Sequence, residues 1–345
     1  MKVAHVISGE PYGGAESQFE RMVRAFASAG VGQRLIVAPR EARTARLREA
    51  GLDVIEMDLP GRIGFMARRR IDAALGNYTP DVVVSWTPDV TPLVDRGGYS
   101  HVARLGAVFR PQDHLTCAGV FTPSKARADA AMALGWPSQK MKVLPNLPTF
   151  AVPQAPVAAV DRRKLFTPAT ARIVLTAGRL IKSKAFDVLI DAVSNLTSVY
   201  IWIAGDGADR ADIEEHAYAR GMKPRVRFLG WQDDLRPYLA ACDVFALSAR
   251  QDDLPDLVIE AWSLGVPVLS TDTLGAGLLI RDHENGILVP IDNVKAMTEA
   301  IRRVLADPAL ASRIGASGRA TCAKDIDGKG VVDAAIDYFK TFVAG

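Results

Sequence analysis

A chain of 345 residues, 49% hydrophobic and 23% charged, has the balance of soluble globular protein and the length for two domains. Its formal charge of +3 divides into 19 Lys+Arg against 14 Asp+Glu over residues 1–150, about +5, and 23 against 25 in the remainder, about −2; that asymmetry is too weak for the basic stripe that grips nucleic acid, and no nucleic-acid partner is expected. The apolar runs fall far short of the roughly 20 residues that span a bilayer, and neither Cys117, Cys242 and Cys322 nor His5, His101, His114, His216 and His283 show metal-ligand or disulfide spacing, so no metal is expected.

The N-terminus lacks the apolar region and cleavage site of a signal peptide, which predicts a cytoplasmic protein. From Val3 onward, short β-rich runs alternate with helical patterns: VAHVIS then residues 15–29, RLIVAP then 42–50, DVIEMDL then 65–74, and DVVVSW. Further strands are predicted at 101–105 and 119–122, with a helix over 124–134 capped by Ser124. The alternation implies a parallel sheet covered by helices. Between the first strand and helix lies Gly9-Glu10-Pro11-Tyr12-Gly13-Gly14-Ala15-Glu16, which fits neither the dinucleotide fingerprint nor the Walker pattern. Gly13 and Gly14 still permit close backbone approach to a ligand, the alternative being a simple tight turn. Residues 61–70 mix apolar and cationic side chains, ending in Arg68, Arg69 and Arg70. Such a stretch fits an anionic lipid surface or a phosphorylated lipid-linked acceptor; the alternative is a solvated helix face with Phe65 and Met66 in the core.

A proline-rich segment over 145–168 reads as a linker. After it, RIVLTAG opens a second α/β series, followed by a helix over 186–195, VYIWIAG, a helix over 208–220, VRFLG, DVFALS, VPVLST and GILVPI. A last helix near 330–343 comes after this second sheet is complete. The expected domains are therefore 1–150 and 151–329, with 330–345 packing back on the first.

Two constellations in the second half point to one kind of ligand. Gly178-Arg179, followed by Lys184, lies between a strand and a helix, where open α/β sheets bind ligands at their carboxyl ends. Two cations there suit a diphosphate leaving group and neutralise it without a metal; the alternative is a solvated basic loop. Further on, Asp252 and Glu260 stand eight positions apart across a predicted loop-to-helix transition, with Pro255 suited to a first helical turn. Two acids with free helix-start amides address a polar, anionic ligand, unless Asp252 or Asp253 merely caps the helix.

Taken in order, these residues resemble the retaining glycosyltransferases of glycosyltransferase family 4. Gly13-Gly14-Ala15-Glu16 is similar to the family's N-terminal glycine loop and Val143 through Asn146 to its asparagine segment. Gly178-Arg179 with Lys184, Gly205-Asp206-Gly207, Phe228 through Trp231, and Asp252 through Glu260 match its later motifs. The resemblance implies the GT-B fold, two Rossmann-like domains with a donor/acceptor cleft between them, and a metal-independent enzyme with no cofactor beyond its nucleotide-sugar donor. It implies that Gly13, Gly14, Arg179 and Lys184 hold the donor diphosphate, Glu260 the ribose, and backbone at Phe228 and Leu229 the base. It further implies that Asp252, with the amides of Asp253 and Leu254, grips the transferred sugar during a front-face reaction.

Segments such as Arg104 through Gly106 and Gly135-Trp136-Pro137, with Arg250, resemble the lipopolysaccharide and envelope-glycan branch, implying a glycan or lipid-linked acceptor. A UDP-sugar is placed ahead of a GDP-sugar, and attachment to the inner membrane surface is expected through Arg68, Arg69 and Arg70. Three departures stand out: aspartate at 252 where glutamate is commoner, Asp253 where glycine is usual, and no histidine that aligns with an N-terminal catalytic one, His101 and His114 being candidates by region only. The alternatives carried forward are a sugar-nucleotide 2-epimerase of the same fold and a silent sugar-nucleotide binder.

Overall fold

A computed structural model of the protein describes residues 1–8, 14–59, 64–94, 97–106, 109–147, 155–251, 256–325 and 328–343. The chain divides into unit 1, Met1–Leu147 with Gly328–Gly345, and unit 2, Pro148–Asp327.

Unit 1 holds seven strands: β1 (Lys2–Ile7), β2 (Gly32–Val37), β3 (Asp53–Glu56), β4 (Val82–Ser85), β5 (Ser100–Arg104), β6 (Gly119–Thr122) and β7 (Met141–Val143). All pair in parallel, in the order β3-β2-β1-β4-β5-β6-β7. The period of two in β1 explains how the sheet is covered on both faces. Val3 and Ile7 join one apolar cluster with Phe19, Met22, Val23 and Phe26 of the helix Gly14–Ser28. Ala4 and Val6 join another with Ala67, Ile71 and Leu75 of the helix Gly64–Gly76. Met66, on that second helix, is 64% exposed rather than part of the core, because it lies off this apolar stripe. His5 is fully buried, receives the Trp86 indole N–H at 3.1 Å, and is pushed by burial down to a pKa of about 3.

The helix Gly328–Lys340 completes this core from the far end of the sequence. Val331, Val332, Ala335, Tyr338 and Phe339 are buried there, and Phe339 meets the rings of Phe26 and Phe121 edge-on. The Tyr338 hydroxyl lies 3.0 Å from the Val120 carbonyl and 2.9 Å from that of Lys140. At about 2 kcal/mol for each large side chain removed from water, this contact rivals the whole marginal stability of a domain.

Unit 2 holds β8 (Arg172–Ala177), β9 (Val199–Ala204), β10 (Val226–Gly230), β11 (Val244–Leu247), β12 (Val268–Thr271) and β13 (Ile287–Val289). They too are all parallel, in the order β10-β9-β8-β11-β12-β13. Ile173, Leu175, Trp202 and Phe245 face one apolar layer, while Val174, Ile201, Ile203 and Val244 face the other. Two helices that the sequence reading does not name, Val294–Ala306 and Pro308–Asp325, cover parts of these faces.

The strand order positions the site. In unit 2 the connections leave β8 and β11, which are neighbours, towards opposite edges of the sheet. A crevice opens at such a switch point beyond the carboxyl ends of the two strands. In unit 1, β1 and β4 stand in the same relation.

Candidate functional site

At the carboxyl end of β8 the chain turns through Gly178, with φ of 147°, into Arg179 and Leu180. This turn lies directly against the one that follows β9. Gly178 N–H donates to the Ala204 carbonyl at 3.0 Å, and Leu180 N–H to that of Asp206 at 3.0 Å. A Cβ on Gly205 would stand 1.9 Å from the Gly178 carbonyl oxygen, and one on Gly207 would stand 2.5 Å from that of Leu180. Both positions need glycine because backbone touches backbone there. Arg179 is exposed at this place, and among the described residues its guanidinium makes no hydrogen bond or ion pair.

The basic loop continues as a tight turn, Lys182–Lys184, then Ala185 at φ of 49° and the helix Phe186–Ser194. Residues beyond β11 hold this turn through its carbonyls. The Lys182 carbonyl accepts from Arg250 Nη1 at 2.8 Å, that of Ser183 from the Arg250 N–H at 2.8 Å, and that of Lys184 from Ser248 Oγ at 3.0 Å. Arg250 also grips Asp187 with both terminal nitrogens, at 2.8 and 3.3 Å, and its Nε reaches Asp292 at 2.7 Å. Burial works to raise the Asp187 carboxyl, but hydrogen bonds and charge from Arg250 outweigh it and hold the group below its ordinary value. The same hydrogen bonds raise Arg250 against the opposing effect of burial.

Glu260 lies one turn inside the helix Asp256–Ser263 and is 8% exposed. Phe228 and Leu229 end β10 half-buried, Leu229 packing on the side of the sheet opposite to Phe228. The Leu229 carbonyl accepts from Gln232 Nε2 at 2.7 Å, and Gln232 in turn accepts from the Tyr238 hydroxyl at 2.9 Å. Unit 2 thus carries Arg179, Lys184 and Glu260 on the segments that follow β8 and β11 at its switch point, while Phe228 and Leu229 lie on β10, the edge strand two places from β8. Asp252, Asp253 and Leu254 lie outside the described residues, as does Gly13.

Gly14 begins the first helix of unit 1. The backbone entering its glycine loop is anchored. Arg43 Nη2 donates to the Ser8 carbonyl at 3.3 Å and the Ala38 carbonyl at 3.1 Å, while Ser8 Oγ meets Thr87 Oγ1 at 2.9 Å and donates to Asp89. His101 sits near the amino end of β5, buried with Nε2 2.8 Å from Ser85 Oγ, and burial lowers its pKa to about 4. His114 is buried as well, paired with the Arg110 carbonyl at 2.9 Å and packed on Phe109 and Trp136. Both rings are enclosed by unit 1 itself. Among the described residues no three His, Cys, Asp or Glu side chains gather as a metal site. Sequence reading missed the anchoring by Arg43 and the grip of Arg250, since no local pattern ties Arg250 to a carboxylate 63 positions earlier.

Residues 158–321 match the family model of the glycosyl transferases group 1. Over 97% of both lengths the chain is 35% identical to the lipopolysaccharide core biosynthesis glycosyltransferase LpsE of Rhizobium meliloti (strain 1021). It is 31% identical to LpsD of the same organism, also a lipopolysaccharide core biosynthesis glycosyltransferase, over 100% of this chain and 99% of that one. In three dimensions it overlays the crystal structure of Anabaena HepE in complex with UDP-glucose at a TM-score of 0.87, with 18% identity, over 99% of this chain and all of that one. A doubly wound parallel sheet in each unit, a glycine-and-arginine turn beside the β8–β11 switch point and full-length kinship of this order lead to one conclusion: the chain is a glycosyltransferase of GT-B fold and belongs to the group 1 glycosyl transferases.

Proposed function

We propose that this enzyme transfers a sugar from a UDP-sugar to a glycan or lipid-linked acceptor of the bacterial lipopolysaccharide core, with retained configuration and without a metal. The observation that carries the donor half is the exposed Arg179 and the Lys184 turn at the switch point of unit 2, with the buried Glu260 on the adjoining helix. Cations so placed favour an anion that gains charge as a bond breaks. Full-length similarity to LpsE and LpsD supports the acceptor class, and the UDP-glucose of HepE supports uracil as the base.

In this reading Glu260 accepts from the ribose hydroxyls, Arg179 and Lys184 neutralise the diphosphate, and backbone at Phe228 and Leu229 faces the base. Asp252 and the amides of Asp253 and Leu254 hold the sugar. The bond from the anomeric carbon to the diphosphate oxygen breaks as the acceptor oxygen bonds to the same face, and the acceptor proton passes to the departing phosphate. Thermal-shift measurements with UDP-, GDP-, ADP- and dTDP-sugars test the donor site. Saturating UDP-sugar is expected to raise the melting temperature by roughly 5 °C or more; a shift with none of the four overturns the reading.

The cytoplasmic face of the inner membrane is the proposed place of work. No helix among the described residues is long and apolar enough to cross a membrane. Arg69 and Arg70 are exposed beside the exposed Met66, whereas Arg68 donates to the Pro92 carbonyl at 2.8 Å. At about 1 kcal/mol per cation near an anionic surface, replacing all three arginines by alanine should weaken co-sedimentation with phosphatidylserine vesicles at least tenfold. Unchanged sedimentation would refute the attachment.

A further inference from the structure

We infer that Arg250 is a positioning residue for the donor diphosphate, one that shapes the basic turn without itself binding the donor; this rests on the donor-site reading above. Three successive carbonyls, those of Lys182, Ser183 and Lys184, point to the β11 side and accept there from Arg250 Nη1, Arg250 N–H and Ser248 Oγ. A carbonyl oxygen turned towards a diphosphate would repel it. Arg250 and Ser248 engage all three oxygens with donors, which lowers the repulsion that this turn would exert on an anion beside it.

The guanidinium that does this is already occupied. Besides the Lys182 carbonyl it faces the carboxylates of Asp187 and Asp292, which offset its charge and fix its plane. Asp187 comes from the helix after the basic turn, Arg250 from the end of β11 and Asp292 from just beyond β13. The basic loop is therefore tied to the stretch 248–251 that follows β11 and, through Arg250, to Asp292, so its backbone is held from two strand ends. Side chains that support an ion-binding group from behind commonly contribute tenfold or more to its affinity.

The sign of one variant's effect separates positioning from simple electrostatics. Asp187→Asn removes a negative charge near an anion site, which by Coulomb attraction alone should tighten UDP binding. If Arg250 acts by position, D187N instead loosens the guanidinium and weakens UDP. Titration calorimetry of UDP and UMP on the full chain, for wild type, R250A, R250K and D187N, reads this out. We expect R250A and D187N each to lose about tenfold in UDP affinity, with much less change for UMP. R250K should not rescue, since an ammonium lacks the fork that spans carbonyl and carboxylate. Tighter UDP binding by D187N, or full rescue by R250K, overturns the inference and leaves the donor site standing. Equal losses of UDP and UMP together with a lowered melting temperature would mean a merely structural role and overturn it too. Failure of wild type to bind UDP more tightly than UMP sinks the donor reading itself, and this inference with it.

Discussion

Alanine at Glu260 is expected to weaken UDP binding roughly 100-fold, whereas alanine at Asp252 leaves UDP affinity nearly unchanged and lowers kcat by about 10² to 10³. The first figure follows from placement. Glu260 is 8% exposed on the helix after β11, so its carboxylate meets little competing water. Hydrogen bonds to a charged acceptor contribute about 1.5–3 kcal/mol each, and the two ribose hydroxyls that donate to Glu260 in the proposed mechanism would give about 3 kcal/mol or more. Asp252 belongs to a different part of the reaction in the proposed mechanism, next to the sugar whose anomeric carbon gains positive charge. Loss of one such group raises the barrier without touching the nucleotide. Calorimetry with UDP and initial rates with the sugar donor separate the two; equal loss of UDP affinity in both variants would contradict the division.

A second large effect is expected at Gly205. Gly205→Ala puts a methyl 1.9 Å from the Gly178 carbonyl oxygen, on a backbone with φ of 132° that L residues rarely adopt. Neither side of the contact is a flexible side chain, so the β8 and β9 turns must separate. The cost is set at about 3 kcal/mol or more, on the order of 10 °C in melting temperature for a unit of this size. UDP affinity should fall with it, because Arg179 rides on the displaced turn. Gly230→Ala is the matched control. It has φ of 68° and nothing within 4 Å of the added methyl, so only the backbone term of about 1 kcal/mol applies. Similar melting temperatures for the two variants would show that the close approach of the two turns carries no stability.

Much of this architecture is legible in the sequence, for reasons that individual segments make plain. Val82, Val83 and Val84 are buried on both faces of a parallel sheet, and such continuous apolar runs between helical patterns identify strands. The same rule passes over β7, whose Met141, Lys142 and Val143 lie at a half-exposed sheet edge. The helix Pro308–Asp325 is hidden by glycines that its packing demands. A Cβ on Gly315 would stand 2.1 Å from the Gly265 carbonyl oxygen, and one on Gly318 would stand 2.2 Å from the Trp262 ring. Residues that weaken a helix locally are required here by a close neighbour. At the site, types and order of residues can be read because each motif is local. The grip of Arg250 on Asp187 and Asp292 cannot, since three separate strand ends must first be assembled.

The helix Gly328–Lys340 gives the chain an order of maturation that runs against its order of synthesis. Unit 2 is a single stretch, Pro148–Asp327, and has all its residues once that stretch has left the ribosome. Unit 1 begins first and finishes last, because Val331, Val332, Ala335, Tyr338 and Phe339 are part of its core. Until they emerge, the ring edges of Phe26 and Phe121 lack their cover. A nascent chain, or one cut short before Gly328, therefore shows an apolar face on unit 1 to chaperones and proteases, and a lesion that lies beyond unit 2 in the sequence strikes the unit that precedes it.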